Sequence, residues 1–281
     1  DYSTDVLSAI AINFISTTPQ NQSFFLYFAP FAPHFPYTPA PTDVNSLAGI
    51  APWRPPSYNE ANVSDKPLWV RQLPLLNASG SANGDIVRQM QLESLQAIDR
   101  GISGILDVLN QTGRLNNTII VYMSDNGYMW GEHRILDEKI CAYEECYRVP
   151  LWIRMPGVAG RNDNSLIENI DLAPTFAELT GTEIPSKVNG MSFAKLLDDP
   201  ALQWRSEILL EGWGDYSGFT YLRGFSAVRT AQYIYTVYNN GDREFYDLAA
   251  DSYQLTNSVS NPANSAIISN LTSKLNVLKT A

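Results

Sequence analysis

Asp125, Asn126, Lys139 and His34 are the side chains of this 281-residue sequence whose types and positions could act on an anionic group. Asp125 and Asn126 offer a carboxylate and an amide oxygen side by side, hard donors suited to Ca²⁺ or Mg²⁺. Lys139, fourteen positions after Asp125, is a compact point charge on a flexible stem, suited to an anion. His34 stands among prolines that pre-set its backbone, which is what a positioned imidazole needs. Each also has a plainer reading. Asp-Asn-Gly alone equally makes an Asx-type turn, and His34 taken alone reads first as a surface-loop histidine.

The elements that must place these residues come next. Asp125 follows the apolar run Ile119–Met123, which predicts a strand buried on both faces of a parallel sheet. Ligands of open α/β sheets bind at the carboxyl edge of such strands, and Gly127 lets the chain turn away there. His34 follows a second buried-strand candidate, Phe24–Ala29. Pro30, Pro33, Pro36, Pro39 and Pro41 then forbid helix and force an extended loop. Val6, Ile10 and Phe14, with Leu7 and Ile15 beside them, predict an opening helix. Residues 42–85 form a long irregular stretch of the kind that covers a site or makes an excursion. Leu95, Ile98, Ile102, Ile105, Leu106 and Leu109 mark a strong helix over Ile86–Asn110, closed by Gly113. A helix running into Ile119–Met123 is the signature of a layered α/β sheet. Leu151–Ile153 reads as another short buried strand. Asp171 reads as the N-cap of a helix over Leu172–Leu179, with Gly181 at its end. From about Trp204 the pattern changes. Glu207–Trp213, Phe225–Arg229, Tyr233–Tyr238 and Glu244–Leu248 predict a small antiparallel sheet. Ile267, Leu271, Leu275 and Leu278 predict a closing helix. The expected domains are therefore 1–203 and 204–281.

A hydrophobic fraction of 44% and a charged fraction of 17% predict an ordinary packed core. The net charge of −10, with no Lys/Arg cluster, argues against nucleic acid. No apolar run approaches membrane-spanning length, and no signal peptide is seen. Asn-x-Ser/Thr sequons at Asn21, Asn62, Asn77, Asn110, Asn116 and Asn270 point to a secreted or lysosomal-type, extracytoplasmic glycoprotein. Cys141 and Cys146 are too few for a disulfide framework. On one straight helix they would point apart, and a bend would be needed to bridge them.

Several motifs stand in a fixed order: F-F-L-Y-F-A-P-F-A-P-H-F-P-Y-T-P-A-P, W-V-R-Q at Trp69–Gln72, L-N-N-T-I-I-V-Y-M-S-D-N-G-Y, Lys139, Y-E-E, R-V-P-L-W-I-R-M-P-G, D-L-A-P-T-F-A-E-L-T-G and E-F-Y-D-L-A-A-D. Together they resemble the carboxyl-terminal half of a type I, formylglycine-dependent sulfatase. Within that family they are most similar to N-acetylglucosamine-6-sulfatases and arylsulfatases. The resemblance implies an alkaline-phosphatase-like α/β fold, with a mixed, mostly parallel sheet between helices. It implies hydrolysis of sulfate esters, of a sulfated sugar or an aryl sulfate. Asp125 and Asn126 match two ligands of the catalytic Ca²⁺. Lys139 matches the lysine that bridges sulfate and nucleophile, and His34 the histidine that touches the sulfate. Trp130, Glu211 and Trp213 could line a sugar pocket, and His133 reads as structural or rim-lining.

The departure from the family is in its nucleophile motif, Cys/Ser-x-Pro-Ser/Ala-Arg. Cys141 is followed by A-Y-E and Cys146 by Y-R-V. Formylglycine and a further Asp pair are therefore expected on a missing N-terminal half, and this chain alone is expected to be inactive. The competing readings are a metal-dependent phosphodiesterase of the same superfamily and a non-catalytic glycan-binding relative.

Overall fold

The computed structural model describes residues 1–184, 186–213 and 224–280. In chain order the helices and strands are α1 (Ser3–Thr17), α2 (Leu68–Arg71), α3 (Ala78–Gln111), β1 (Ile120–Met123), β2 (Met129–Trp130), β3 (Leu136–Glu138), α4 (Glu144–Tyr147), β4 (Leu151–Arg154), α5 (Leu172–Thr180), α6 (Ala194–Asp198), β5 (Glu207–Gly212), β6 (Phe225–Thr230), β7 (Tyr233–Tyr238), β8 (Arg243–Asp247) and α7 (Ser265–Leu278). The chain divides into two compact units, Asp1–Trp53 with Leu76–Ile120, and Arg54–Leu75 with Val121–Ala281.

In the first unit α1 packs on α3. Apart from Ile15, the apolar residues that mark the helix do not lie on its buried face. Val6, Ile10 and Phe14 are exposed, and Thr4, Ser8, Ala11 and Ile15 face inward. The reason lies on α3. A Cβ at Gly101 would sit 2.3 Å from Ser8 Oγ, and one at Gly104 2.7 Å from Ile12 Cδ1. The helices approach through glycines, so small residues of α1 take the contact. Ile15, Val108 and Leu109 close the core beneath, with Ile12 and Ile105 against them. Helix α3 starts eight positions before the expected Ile86, because the Asn77 side chain accepts the Gly80 N–H at 2.8 Å. A cap fixes that start where no apolar period announces it.

Phe24–Ala29 does not form a strand. It keeps period-two alternation: Phe24 and Leu26 pack on the Ile15 cluster, while Phe25 and Tyr27 are exposed. An extended segment becomes a strand only when a neighbour accepts its backbone hydrogen bonds, and no described strand pairs with it.

In the second unit β5–β8 form an antiparallel sheet in sequence order. Alternation divides its residues between two cores. Val228, Tyr235 and Phe245 pack on Leu271 and Leu275 of α7. Ala227, Ile234 and Tyr246 join Trp69, Met129 and Tyr143. Within that second core Glu244 is buried and accepts the hydroxyls of Tyr143, Tyr238 and Tyr246. Burial raises its carboxyl above the usual range against the pull of those hydroxyls.

Strands β1 and β4 pair in a two-stranded sheet. Burial on both faces is not found: Tyr122 and Trp152 are exposed, because no described element covers that face of the strands. Asp171 precedes α5 but does not cap it. Its carboxylate instead accepts the backbone N–H groups of Glu168 and Met191 and pairs with Arg205 at 2.7 Å. Gly181, at φ 67°, does end α5 as expected.

Candidate functional site: a turn and a hairpin held by one segment

The Asp125–Asn126 turn leaves β1 and is fixed by local hydrogen bonds. Ser124 Oγ donates to Asn126 O at 2.7 Å, and the Asn126 N–H donates to Asp125 Oδ1 at 2.9 Å. The Asn126 amide nitrogen donates to Gly127 O at 2.9 Å, which leaves its oxygen as the atom it could give a cation. Gly127 N donates to Cys146 O at 2.8 Å and Tyr128 N to Glu145 O at 2.9 Å. A Cβ on Gly127 would lie 1.8 Å from Glu145 O. Glycine is therefore required by close backbone approach rather than by the turn itself.

The accepting segment is itself tied. Cys141 and Cys146 form a disulfide, with Cα atoms 5.8 Å apart. Cys141 lies before α4 and Cys146 within it, so the bend that a straight helix would deny is present.

Tyr128 leads into the hairpin of β2 and β3, whose register slips between Met129 and Trp130. Lys139 follows β3 and is partly buried, and its N–H donates to Glu138 Oε1 at 2.7 Å. Tyr128 donates its hydroxyl to Asp137 Oδ1 at 2.5 Å, and its ring lies 5.9 Å from that of Trp130. The fold thus hangs Asp125, Asn126 and Lys139 on consecutive parts of one unit. Glu211 lies exposed on β5, accepting from Ser226 Oγ at 3.3 Å, and Trp213 is 79% exposed just past it.

His34 belongs to the first unit. It is exposed, with its ring centroid 4.9 Å from that of Phe31. Its Nδ1 lies 3.1 Å from Phe35 O. A carbonyl only accepts, so Nδ1 carries the proton and Nε2 is the atom left for a ligand.

Sequence reasoning missed Glu145. Burial, with repulsion from Glu132, raises its carboxyl to about 7 despite the hydrogen bond from Ser57. Its folded value exceeds its unfolded one, so the native state binds more protons between pH 4.5 and 7, and stability falls as pH rises through that window. The loss amounts to about 3 kcal/mol at the top of it. Glu145→Gln should flatten that part of the curve, read as melting temperature against pH beside wild type. Parallel curves would refute the assignment.

Asp125 and Asn126 fit a hard cation as part of a donor set, since Ca²⁺ takes about six to eight oxygens. Among the described residues no group of three or more His, Cys, Asp or Glu could hold a metal by itself. No helix of the described residues is long and apolar enough to cross a membrane.

The chain is 30% identical over 291 residues to the N-acetylglucosamine-6-sulfatase of Capra hircus, covering 92% of this chain and 52% of that protein. It is 31% identical over 219 residues to the extracellular sulfatase SULF-1 homolog of Drosophila melanogaster, covering 76% of this chain and 19% of that one. A protein solved in complex with its substrate D-glucosamine-2-N,6-O-disulfate superposes with a TM-score of 0.88 at 24% identity, over 99% of this chain and 69% of that one. That superposition carries the alkaline-phosphatase-like fold. The chain spans about half the length of the N-acetylglucosamine-6-sulfatases it matches over most of its own length. The family description "N-sulphoglucosamine sulphohydrolase, C-terminal" matches residues 131–281. The description "Sulfatase" matches residues 1–182, the stretch that holds the proline loop, the Asp125–Asn126 turn and Lys139, and on that match the chain belongs to the sulfatase family.

Proposed function

We propose that this chain is the carboxyl-terminal part of a sulfuric ester hydrolase acting on a sulfated sugar or an aryl sulfate. The observation that carries the reading is the family match across the Asp125–Asn126 turn and Lys139, the turn being held by the disulfide-bonded segment through Glu145 and Cys146. Relatives named for sulfated glucosamine support the sugar.

Sulfate ester cleavage builds negative charge on the departing oxygen. Lys139 would place its ammonium against the non-bridging sulfate oxygens, where a preorganised cation stabilises the transition state more than the ground state. His34 would serve the leaving oxygen. With Nδ1–H held by Phe35 O, a protonated ring presents Nε2–H as the acid. Asp125 and Asn126 would hold a divalent cation, Ca²⁺ or Mg²⁺, with oxygens from outside this chain. Bound there, the ion would supply Lewis-acid stabilisation of the sulfate. Trp130, Glu211 and Trp213 would line the sugar side. Formylglycine would lie on the further part of the protein that this reading implies. The change of pattern near Trp204 supports a smaller subdomain over 204–281.

The test is sulfate release from an aryl sulfate and from 6-sulfated N-acetylglucosamine. The longest natural protein carrying residues 1–281 is expected to turn over one of them, and residues 1–281 alone neither. Binding of the sugar by the long form without release would favour the glycan-binding alternative.

A secreted or lysosomal-type location is supported by the exposed asparagines of all six sequons and by the disulfide. Asparagine-glycan removal from protein made in a eukaryotic secretory host should lower its mass. Unchanged mass would remove the sequons from the case.

A further inference from the structure

The hairpin that carries Lys139 has a costly tip. His133 and Arg134 at the tip have positive φ, at 49° and 68°, as does Asp137 within β3, at 57°. None is glycine, and such backbone persists only where surroundings over-determine it. The surroundings are all in the second unit. His133 N donates to Ser57 O and Asn59 N to Gly131 O, both at 2.7 Å. The Arg134 guanidinium donates to the carbonyls of Glu60, Ala61 and Leu73. These bonds fix the backbone of the tip and leave the imidazole of His133 to be explained.

That ring is fully buried. Its Nδ1 lies 2.7 Å from Glu60 Oε2, and its face stacks on Tyr143 with centroids 4.2 Å apart. Its Nε2 is buried with no hydrogen-bond partner among the described residues. Glu60 is held in turn by Lys66, whose Nζ lies 3.6 Å away and donates to the carbonyls of Gln254 and Leu255. Burial lowers the imidazole's affinity for a proton, so the carboxylate takes a neutral ring's Nδ1–H. Tyr143 immediately precedes α4, whose Glu145 and Cys146 carbonyls receive the turn after Asn126. The ring therefore joins the two things the proposed reaction needs held together, the lysine hairpin and the segment that anchors the Asp125–Asn126 turn.

We propose that the buried Glu60–His133 pair is a positioning device for Lys139, in which the carboxylate sets the tautomer and plane of the imidazole and the ring locks the hairpin tip onto Tyr143. The catalytic part of this rests on the sulfatase reading above, and the geometric part does not.

The experiment uses Glu60→Gln and His133→Asn in the longest natural protein. Glutamine keeps the shape of Glu60. Asparagine tolerates positive φ and retains an amide donor. Lysine amines are labelled by reductive ¹³C-methylation, and the Lys139 resonance is identified by its loss in Lys139→Arg. In both variants, still folding cooperatively, that resonance should shift or broaden. Turnover should fall about 10- to 100-fold, as for other groups that orient a site residue, with KM little changed. An unmoved Lys139 resonance, or intact turnover, overturns the proposal. A moved resonance in a protein whose wild type releases no sulfate leaves the positioning standing and removes the sulfatase reading. Should His133→Asn fail to fold, Glu60→Gln decides.

Discussion

Lys139→Ala in the longest natural form of this protein is expected to lower turnover of a sulfate ester by about 10²–10³-fold, the usual cost of losing one preorganised charge-stabilising group. Added Ca²⁺ should not restore it, because the substitution leaves Asp125 and Asn126 in place. Asp125→Ala should fail differently. It removes the carboxylate of the proposed Asp125–Asn126 donor pair, so Ca²⁺ affinity should drop and excess Ca²⁺ should recover part of the activity. The measurement is kcat against Ca²⁺ concentration for both variants beside wild type, with Ca²⁺ binding followed separately by calorimetry. Near-normal turnover in Lys139→Ala would reduce Lys139 to an ordinary lysine at a suggestive spacing. Equal rescue of both variants by Ca²⁺ would remove the distinction between a metal ligand and a sulfate-binding group.

Gly127→Ala should be the most damaging single methyl in the site. Its Cβ would fall 1.8 Å from Glu145 O, and that carbonyl cannot withdraw without breaking the bond from Tyr128 N. The neighbouring bond from Gly127 N to Cys146 O is on the same strip of backbone. Losing both should cost about 2–4 kcal/mol, since a buried group left without its partner costs about 1–3. The gain from stiffening the unfolded chain, about 0.4–1 kcal/mol, does not offset this. Gly160→Ala is the control, because nothing lies within 4 Å of its Cβ and its φ is not positive. Urea denaturation of the two variants beside wild type decides the matter. A Gly127→Ala midpoint equal to that of Gly160→Ala would mean the turn can move off Glu145 freely, and that the segment does not hold it.

Much of this was legible in the residue order. The four C-terminal strands and α7 follow from period-two and helical patterns that local chemistry reinforces, so the sequence alone places that sheet. The family likeness was legible too, because motif order survives when single motifs are ambiguous. The buried face of α1 was not, since the winning contact is made by Gly101 and Gly104 nearly a hundred residues away. Nor was the strand expected at Phe24–Ala29, because pairing depends on a neighbour that local pattern cannot supply. Asp171 looked like a cap, yet Arg205 and Met191 compete for its carboxylate across the fold. The clearest case is the site. Asp125, Asn126, Lys139 and His34 could be put forward as candidates from type and spacing, because the chemistry of a side chain travels with its identity. The Cys141–Cys146 bridge, the pinning of Gly127 onto Glu145 and the buried Glu60–His133 pair could not. Each depends on atoms brought together by packing, at separations that residue type does not encode, and only the tertiary structure decides them.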